Sequence, residues 1–232
     1  MFADITLESA NVPESRKRGL EQNRGKRADM YCRHCNKTGV DIAVNQESGT
    51  FLRNEVDDRP GLRTASAPPN DRRPGRTLGN LQTYRRGLRV KALTSIASKR
   101  TGKGGALHQT EVTYSIPADT TPATLTVIGI HAQTRRADPL GRSRRRLNRK
   151  LVERSEELHA AGVLHVIAGD ANDGKRSWAR QFRHLKVAAH RKVDWILVSR
   201  EIEVRGSAVH RLPRVSDHAF ITAEISVPIK SL

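Results

Sequence analysis

Short apolar runs in this chain stop abruptly on a carboxylate, an amide or an imidazole, and this recurrence constrains the fold more than any other feature. Val163-Leu164-His165-Val166-Ile167-Ala168 runs into Gly169-Asp170-Ala171-Asn172-Asp173. Near the other end, Ser216-Asp217-His218 follows a basic loop and leads straight into Ala219-Phe220-Ile221-Thr222-Ala223-Glu224-Ile225. Segments of this length, rich in β-branched residues and bounded by turn formers, read as strands. A strand tip is a rigid place to hold a polar side chain. Several such tips on one sheet edge are a natural frame for metal-assisted phosphate cleavage.

Four more segments repeat the pattern. Ile5 to Asn11 reads as an opening strand ending on Asn11, and Val40 to Glu47 as a second ending on Glu47. Leu125 to His131 reads as a third ending on His131, and Val193 to Val198 as a fourth carrying Asp194. Between them, Pro13 to Lys37 has helical spacing at Leu20, Arg27, Tyr31 and Cys35. Leu140 to Ala161 is the clearest helix, with Leu147, Leu151, Val152, Ser155 and Leu158 on one face and Gly162 as its stop. Residues 53–80 are rich in Pro, Gly, Arg and Asp and predict a long flexible surface loop. Gln82 to Ser98 and Ala106 to Ile116 predict two strands about a Gly102-Lys103-Gly104-Gly105 turn, and Gly174 to Lys192 a basic connector. No repeat or second domain is visible, so residues 1–232 are expected to form one domain.

Phosphodiester hydrolysis needs a Lewis acid, an activated water and relief of charge on the leaving oxygen. Mg²⁺, with Mn²⁺ as a substitute, takes carboxylate oxygens and keeps several waters, so one or two protein ligands suffice. Glu47 is the best candidate ligand, Asn11 would position that shell, and Asp217 can add a carboxylate. Asp170 and Asn172 lie two apart and project the same way from an extended segment. An ionised Asp170 can orient or deprotonate water, and Asn172 can donate to a phosphate oxygen. His218 and His131 are the candidate imidazoles for acid–base work or phosphate contact. Asp173 reads as a turn former or cap, and His165, inside a strand, as a packed residue. His159, His184, His190 and His210 read as solvent or phosphate contacts.

In this order the six motifs resemble those of the endonuclease/exonuclease/phosphatase superfamily, the deoxyribonuclease-I-like fold, from residue 5 to about 227. The resemblance implies an α/β four-layer sandwich: two packed mixed β-sheets flanked by helices. It implies that Glu47, after Gln46, holds the metal and that Asp194 fixes the tautomer of His218. The chain departs from the pattern at Ala10, where an aromatic is usual, at Asn45, where an apolar residue is usual, and at Ala171, where Phe or Leu is usual. These changes predict looser packing around the site. Abasic-site endonucleases of the superfamily carry Tyr where this chain has His131, which leans toward the general-nuclease and phosphatase branches. Val40 to Gly49 and Ile130-His131-Ala132 also look distantly like the nuclease subunit of cytolethal distending toxins.

Charge narrows the substrate. Lys and Arg number 42 against 24 Asp and Glu, for a net charge of +18. Such a surface favours a polyanion, although an arginine-rich coding bias would give the same count. Arg135, Arg136, Arg142, Arg144, Arg145 and Arg146 follow His131 and are expected to grip backbone phosphates without reading sequence. Aromatics make up only 4% of the chain, which argues against stacking-based single-strand binding and favours duplex DNA. The alternatives are a phosphatase or phosphodiesterase of phosphoinositides or sphingomyelin, and an inactive nucleic-acid-binding module. Two cysteines, Cys32 and Cys35, are too few for a disulfide framework or a four-ligand zinc site and read as semi-buried helix residues. With no long apolar run and no leader before Ile5, a cytoplasmic monomer without membrane contact is expected.

Overall fold

The computed structural model describes residues 2–13, 21, 23–48, 50–59, 61–65, 79–97, 109–118, 121–132 and 138–229. In chain order the first elements are β1 (Phe2–Asn11), α1 (Arg24–Thr38), β2 (Ile42–Ser48), α2 (Thr50–Asp57), β3 (Leu62–Ala65), β4 (Gly79–Arg85), β5 (Arg89–Ala97) and β6 (Gln109–Ile116). There follow β7 (Ala123–His131), α3 (Arg142–Ala160), β8 (His165–Asp170), α4 (Arg176–Ala179), β9 (Leu185–Arg191), β10 (Asp194–Ser199), β11 (Glu203–His210) and β12 (Phe220–Pro228).

Two six-stranded sheets pack face to face, in the orders β11-β12-β1-β2-β4-β3 and β5-β6-β7-β8-β10-β9. Each sheet is mixed because each holds one parallel pair joined through a helix: β1 to β2 across α1, and β7 to β8 across α3. The remaining pairings are antiparallel. This is the deoxyribonuclease-I-like α/β sandwich.

Period-two alternation explains the layers. Ile5, Leu7, Ile42, Val44, Leu125, Val127, Val166, Ala168, Ile196 and Val198 point inward and form the core between the sheets. Ala10, Ala43, Tyr31 and Cys35 fill the layer under α1. Ile128, Ile167, Leu151, Trp178, Phe182 and Trp195 fill the layer under α3 and α4. One polar device crosses the central layer. The Gln82 amide nitrogen lies 3.0 Å from the Val127 carbonyl and 3.2 Å from that of Thr110, and Tyr114 donates to its oxygen at 2.9 Å. Gly129 makes room for this approach, since a Cβ there would lie 2.9 Å from both Thr110 and Val44.

Local signals set the helix ends. The Asn23 side chain accepts from the Lys26 amide at 3.1 Å, and Gly39, at φ 72°, ends α1 in the left-handed region. Asp138 accepts from the Arg144 amide at 2.9 Å and caps α3 from outside the helix.

Several sequence expectations need correction. Residues 53–80 are not one loop: α2 occupies their start, β3 lies within them and β4 begins at Gly79, while 60 and 66–78 fall outside the described residues. Gln82 to Ser98 is not one strand. It breaks at Arg86–Leu88, where Arg86-Gly87 turns the chain, and β4 and β5 enter different sheets. The connector Gly174 to Lys192 contains α4 and β9, an edge strand whose register shifts opposite Ile196–Leu197, so its burial does not alternate. The first helix among the described residues begins at Arg24, and residues 14–20 after Pro13 lie outside them. Cys32 and Cys35 are fully buried rather than semi-buried. No described helix is long and apolar enough to cross a membrane.

Candidate active site

The inward rows that build the central core end in polar residues at one edge of the sandwich. The same rows reach Asn11 four residues past Leu7 on β1, His131 four past Val127 on β7, Asp170 two past Ala168 on β8 and Asp194 two before Ile196 on β10. Register brings three of them side by side: His131 pairs with Asp170, and Asp170 with Asp194. The polar cluster is therefore the last layer of the hydrophobic core, held by the same alternation. Asn11, Asp170 and Asp194 are 1%, 3% and 5% exposed, so their charges and dipoles act in a poorly solvated place.

Gly169 makes the close approach possible. Its φ is 137°, and a Cβ there would meet the Ile130 carbonyl oxygen at 2.0 Å. Any other residue would push β8 away from β7 and separate Asp170 from His131. Beyond the tip, Asn172 takes φ 47°; its amide donates to Asp170 at 2.6 Å and its side-chain nitrogen to the Ala132 carbonyl at 2.5 Å. One amide hydrogen of Asn172 is thus committed to the scaffold. Asp173 accepts from the Lys175 amide at 2.9 Å, a turn-forming role.

Glu47 sits on β2 where strict alternation would aim it under α1 with Ala43 and Asn45. Its φ of 56° interrupts that run. The Asn11 side-chain nitrogen lies 3.4 Å from Glu47 Oε1, and the Glu47 charge is close enough to help raise the pKa of Asp170. The Asn11 side-chain carbonyl oxygen is buried without a hydrogen-bond partner among the described residues. A buried oxygen with no donor, beside a carboxylate, suits an oxygen-ligated cation. The donor set thus fits a divalent metal.

Asp170, Asp194 and His218 each offer a ligand atom within 4.8 Å of the others. His218 Nδ1 lies 3.4 Å from Asp194 Oδ2, and the Ser216 hydroxyl accepts from the His218 amide at 2.9 Å. The bond to Asp194 raises the His218 pKa above the ordinary imidazole value against the opposing effect of burial. Burial, and then the charge of Asp194, pushes Asp170 up to about 7. A carboxyl near neutrality beside an imidazolium stabilised by a second carboxylate is a pair poised for proton transfer.

A cavity of about 450 Å³ opens at His218, lined also by Asp194, Ser216, Asp217, Lys192 and Arg211. Asp217 is exposed at this mouth. Lys192, Arg211 and the positioning Ser216 were not anticipated as site residues. The basic runs His190-Arg191-Lys192 and Arg211 to Arg214 were the available signal. Arg142, Arg145 and Arg146 are exposed on the first turns of α3, and Arg144 is half-buried there. Arg135 and Arg136 lie outside the described residues.

The departures from the family pattern are accommodated locally. Ala10 and Ala171 are fully buried, and Asn45 is bonded on both sides, accepting from Tyr31 at 2.6 Å and donating to Thr83 at 2.8 Å. His165 is buried and bonded to Ser155, as expected of a packed residue. Contrary to expectation, His184 and His210 are half-buried and tied to Ser155 and Thr222 at 2.7 and 3.1 Å, and do not serve only as solvent contacts.

The likenesses to known proteins agree with this geometry. A structure described as an endonuclease/exonuclease/phosphatase from Bacteroides vulgatus superposes with a TM-score of 0.75 at 16% identity, covering 97% of this chain and 99% of that one. Truncated Caenorhabditis elegans TDP2 gives 0.73 at 15% identity, covering 96% and 97%. A mannosyl-6-phosphatase from Bacteroides thetaiotaomicron gives 0.69 at 14% identity, covering 95% and 99%. At such identities these structures speak for the fold. Comparison with curated proteins finds no match by sequence. These findings do not bring out the likeness to the toxin nuclease subunit. The model of the Endonuclease/Exonuclease/phosphatase family, whose members hydrolyse phosphoester bonds and typically depend on a divalent metal, matches residues 46–218, from the glutamine before Glu47 to His218 itself. The chain belongs to the endonuclease/exonuclease/phosphatase family.

Proposed function

We propose that this protein is a metal-dependent phosphodiesterase and, more narrowly, an endonuclease cutting duplex DNA with little sequence preference. The observation that carries the reading is the Asp170–Asp194–His218 cluster at the mouth of a cavity rimmed by Lys192 and Arg211. Glu47 and Asn11 would hold Mg²⁺ or Mn²⁺, with Asp217 as a further carboxylate. When bound, the metal supplies Lewis-acid polarisation of the phosphate and offsets its charge.

The chain's own residues divide the remaining work. Asp170, once ionised, accepts the proton of the attacking water. Asp194 holds His218 Nδ1, which leaves Nε2 to contact the phosphate or move a proton. His131, beside Asp170, serves the leaving oxygen. Asn172 spends one hydrogen on Ala132 and has the other for a phosphate oxygen. The arginines at the start of α3 bind backbone phosphates on a chain of net charge +18. The protein acts as a monomer and as one domain in this proposal.

The test is supercoiled plasmid with and without Mg²⁺. Nicking that needs the metal supports the reading, and full nicking in excess EDTA refutes the metal part. Changing Arg144, Arg145 and Arg146 together to Ala should flatten the salt dependence of duplex binding by about 0.9 in log K per log salt for each phosphate no longer gripped. Hydrolysis of bis-(p-nitrophenyl) phosphate should stay nearly unchanged. Release of inorganic phosphate or phosphocholine from lipid vesicles, without salt-sensitive DNA binding, would favour the lipid reading instead. DNA binding without any cleavage would favour the inactive module.

A further inference from the structure

A second basic surface lies on the flank of the sandwich, away from the strand tips. Arg176, Arg180, Arg183, Lys186 and Arg200 line a groove of about 600 Å³ along the outer face of β9 and β10. All but the half-buried Lys186 sit well out in solvent, and no carboxylate lines the groove. Among the described residues none of the five is paired with an acid. Arg200 is instead tethered by its Nε, which donates to the Arg183 carbonyl at 3.1 Å. Five cations gathered without a counter-charge repel one another, and they are stabilised by a polyanion in the groove.

The groove has a direction. His190 pairs with Trp195 next to the catalytic end of β10, and its ring stacks on the Trp195 indole at 3.5 Å between centroids. Trp195 is buried and His190 exposed, so the imidazole offers an open aromatic face. From there the groove descends along the strands to Leu185 and Arg200 at the far end. The five steps from Asp194 to Ser199 span about 17 Å at the usual rise of an extended strand. A duplex lying across the strand tips has a persistence length of about 50 nm and cannot turn down this flank within such a distance. A single strand can.

We infer that this groove binds a single-stranded continuation of the nucleic acid whose duplex part lies at the Asp170–His218 site. Its substrate class is then duplex DNA adjoining a single-stranded tail or gap, held by phosphate contacts to the five cations and one base stacked on His190. The low aromatic content of the chain fits this division, because charge supplies most of the grip and stacking occurs once. The inference rests on the nuclease reading.

The test compares a blunt duplex with the same duplex carrying a tail of about ten nucleotides on the 5′ or the 3′ side, a length within ordinary single-strand site sizes. Binding is measured by fluorescence anisotropy across a salt series. Wild-type protein should bind one tailed duplex about tenfold more tightly than the blunt one at low salt, with a steeper slope. The triple variant R180S/R183S/K186S should lose that gain and about 2 in slope, at about 0.7 per single-strand phosphate. It should keep blunt-duplex affinity, melting temperature and plasmid nicking. A variant that weakens blunt and tailed duplexes alike overturns the inference in favour of general electrostatic attraction. A wild type that nicks plasmid but gains nothing from either tail overturns it alone. A wild type that neither cuts nor binds nucleic acid overturns the nuclease reading first and this one with it.

Discussion

Two carboxylate–imidazole pairs sit in the same sheet framework, and only one opens to solvent. Glu8, on the outer face of β1, meets His34 of the covering α1, with His34 Nε2 2.5 Å from Glu8 Oε2. Their side chains are 0% and 8% exposed, His210 and Phe220 pack on the His34 ring, and burial raises the Glu8 pKa although His34 opposes it. The side chains of Asp194 and His218 are 7% and 27% exposed at a strand tip, with a third carboxyl and a cavity beside them. The two pairs are chemically alike. What differs is where the strand ends: a mid-strand pair is closed over by the helix that must cover the sheet, whereas a tip pair is left at the edge of the packing. Side-chain type alone therefore does not define a reactive site; position along the strand does.

The comparison is sharpened first at the residue outside both pairs. Glu47→Gln removes a metal ligand's charge and little volume, and should cost about three powers of ten in turnover with the melting curve unchanged. Plasmid nicking at the wild-type rate would remove Glu47 from the site. The two histidines should then separate cleanly. His34→Ala leaves Glu8 buried without its partner and should cost about 3 kcal/mol of stability, read from urea unfolding, while turnover survives. His218→Ala should cost about 10²-fold in turnover and little stability, since its ring faces a cavity. If His34→Ala abolishes turnover in the folded protein, the division between packed and reactive pairs is wrong.

How much of this was legible in the sequence follows from the same geometry. The strand tips could be read because each short apolar run stops on a polar residue, Asn11, His131 or Asp170, and such a run survives in one dimension. The left-handed turn at Glu47 could not be read, because a glutamate carries no backbone signal. Glu8–His34 was invisible because both residues look like surface polars until α1 is laid over β1. The β4–β5 break at Arg86–Leu88 was missed because both sides are equally strand-like, and only the sheet to which each belongs distinguishes them. Edge strand β9 was hidden because its register shift breaks the alternation of its burial, and β11 because one of its faces is solvated and charged.

The smallest effect is the most discriminating test of the tip site, and it concerns Asp170 in the metal-free protein. In the unfolded chain an aspartate loses its proton near pH 4. In the folded chain Asp170 holds it up to about 7. Between those values the native state binds more protons than the unfolded state, so stability falls as pH rises through that window and is level above it. The loss reflects the cost of an ionised carboxylate in the core's last layer and is of the order of a few kcal/mol. Asp170→Asn keeps the shape and removes the charge. In EDTA it should match wild type near pH 4 and melt several degrees higher at pH 8, and in Mg²⁺ it should lose activity. With Mg²⁺ bound, the cation's charge favours the ionised carboxylate, so wild-type turnover should climb with pH through a midpoint below that of the metal-free group. A variant that melts lower than wild type at pH 8 would mean that the hydrogen bond from the Asn172 amide outweighs desolvation, and that Asp170 is structural like Glu8 and not poised for chemistry.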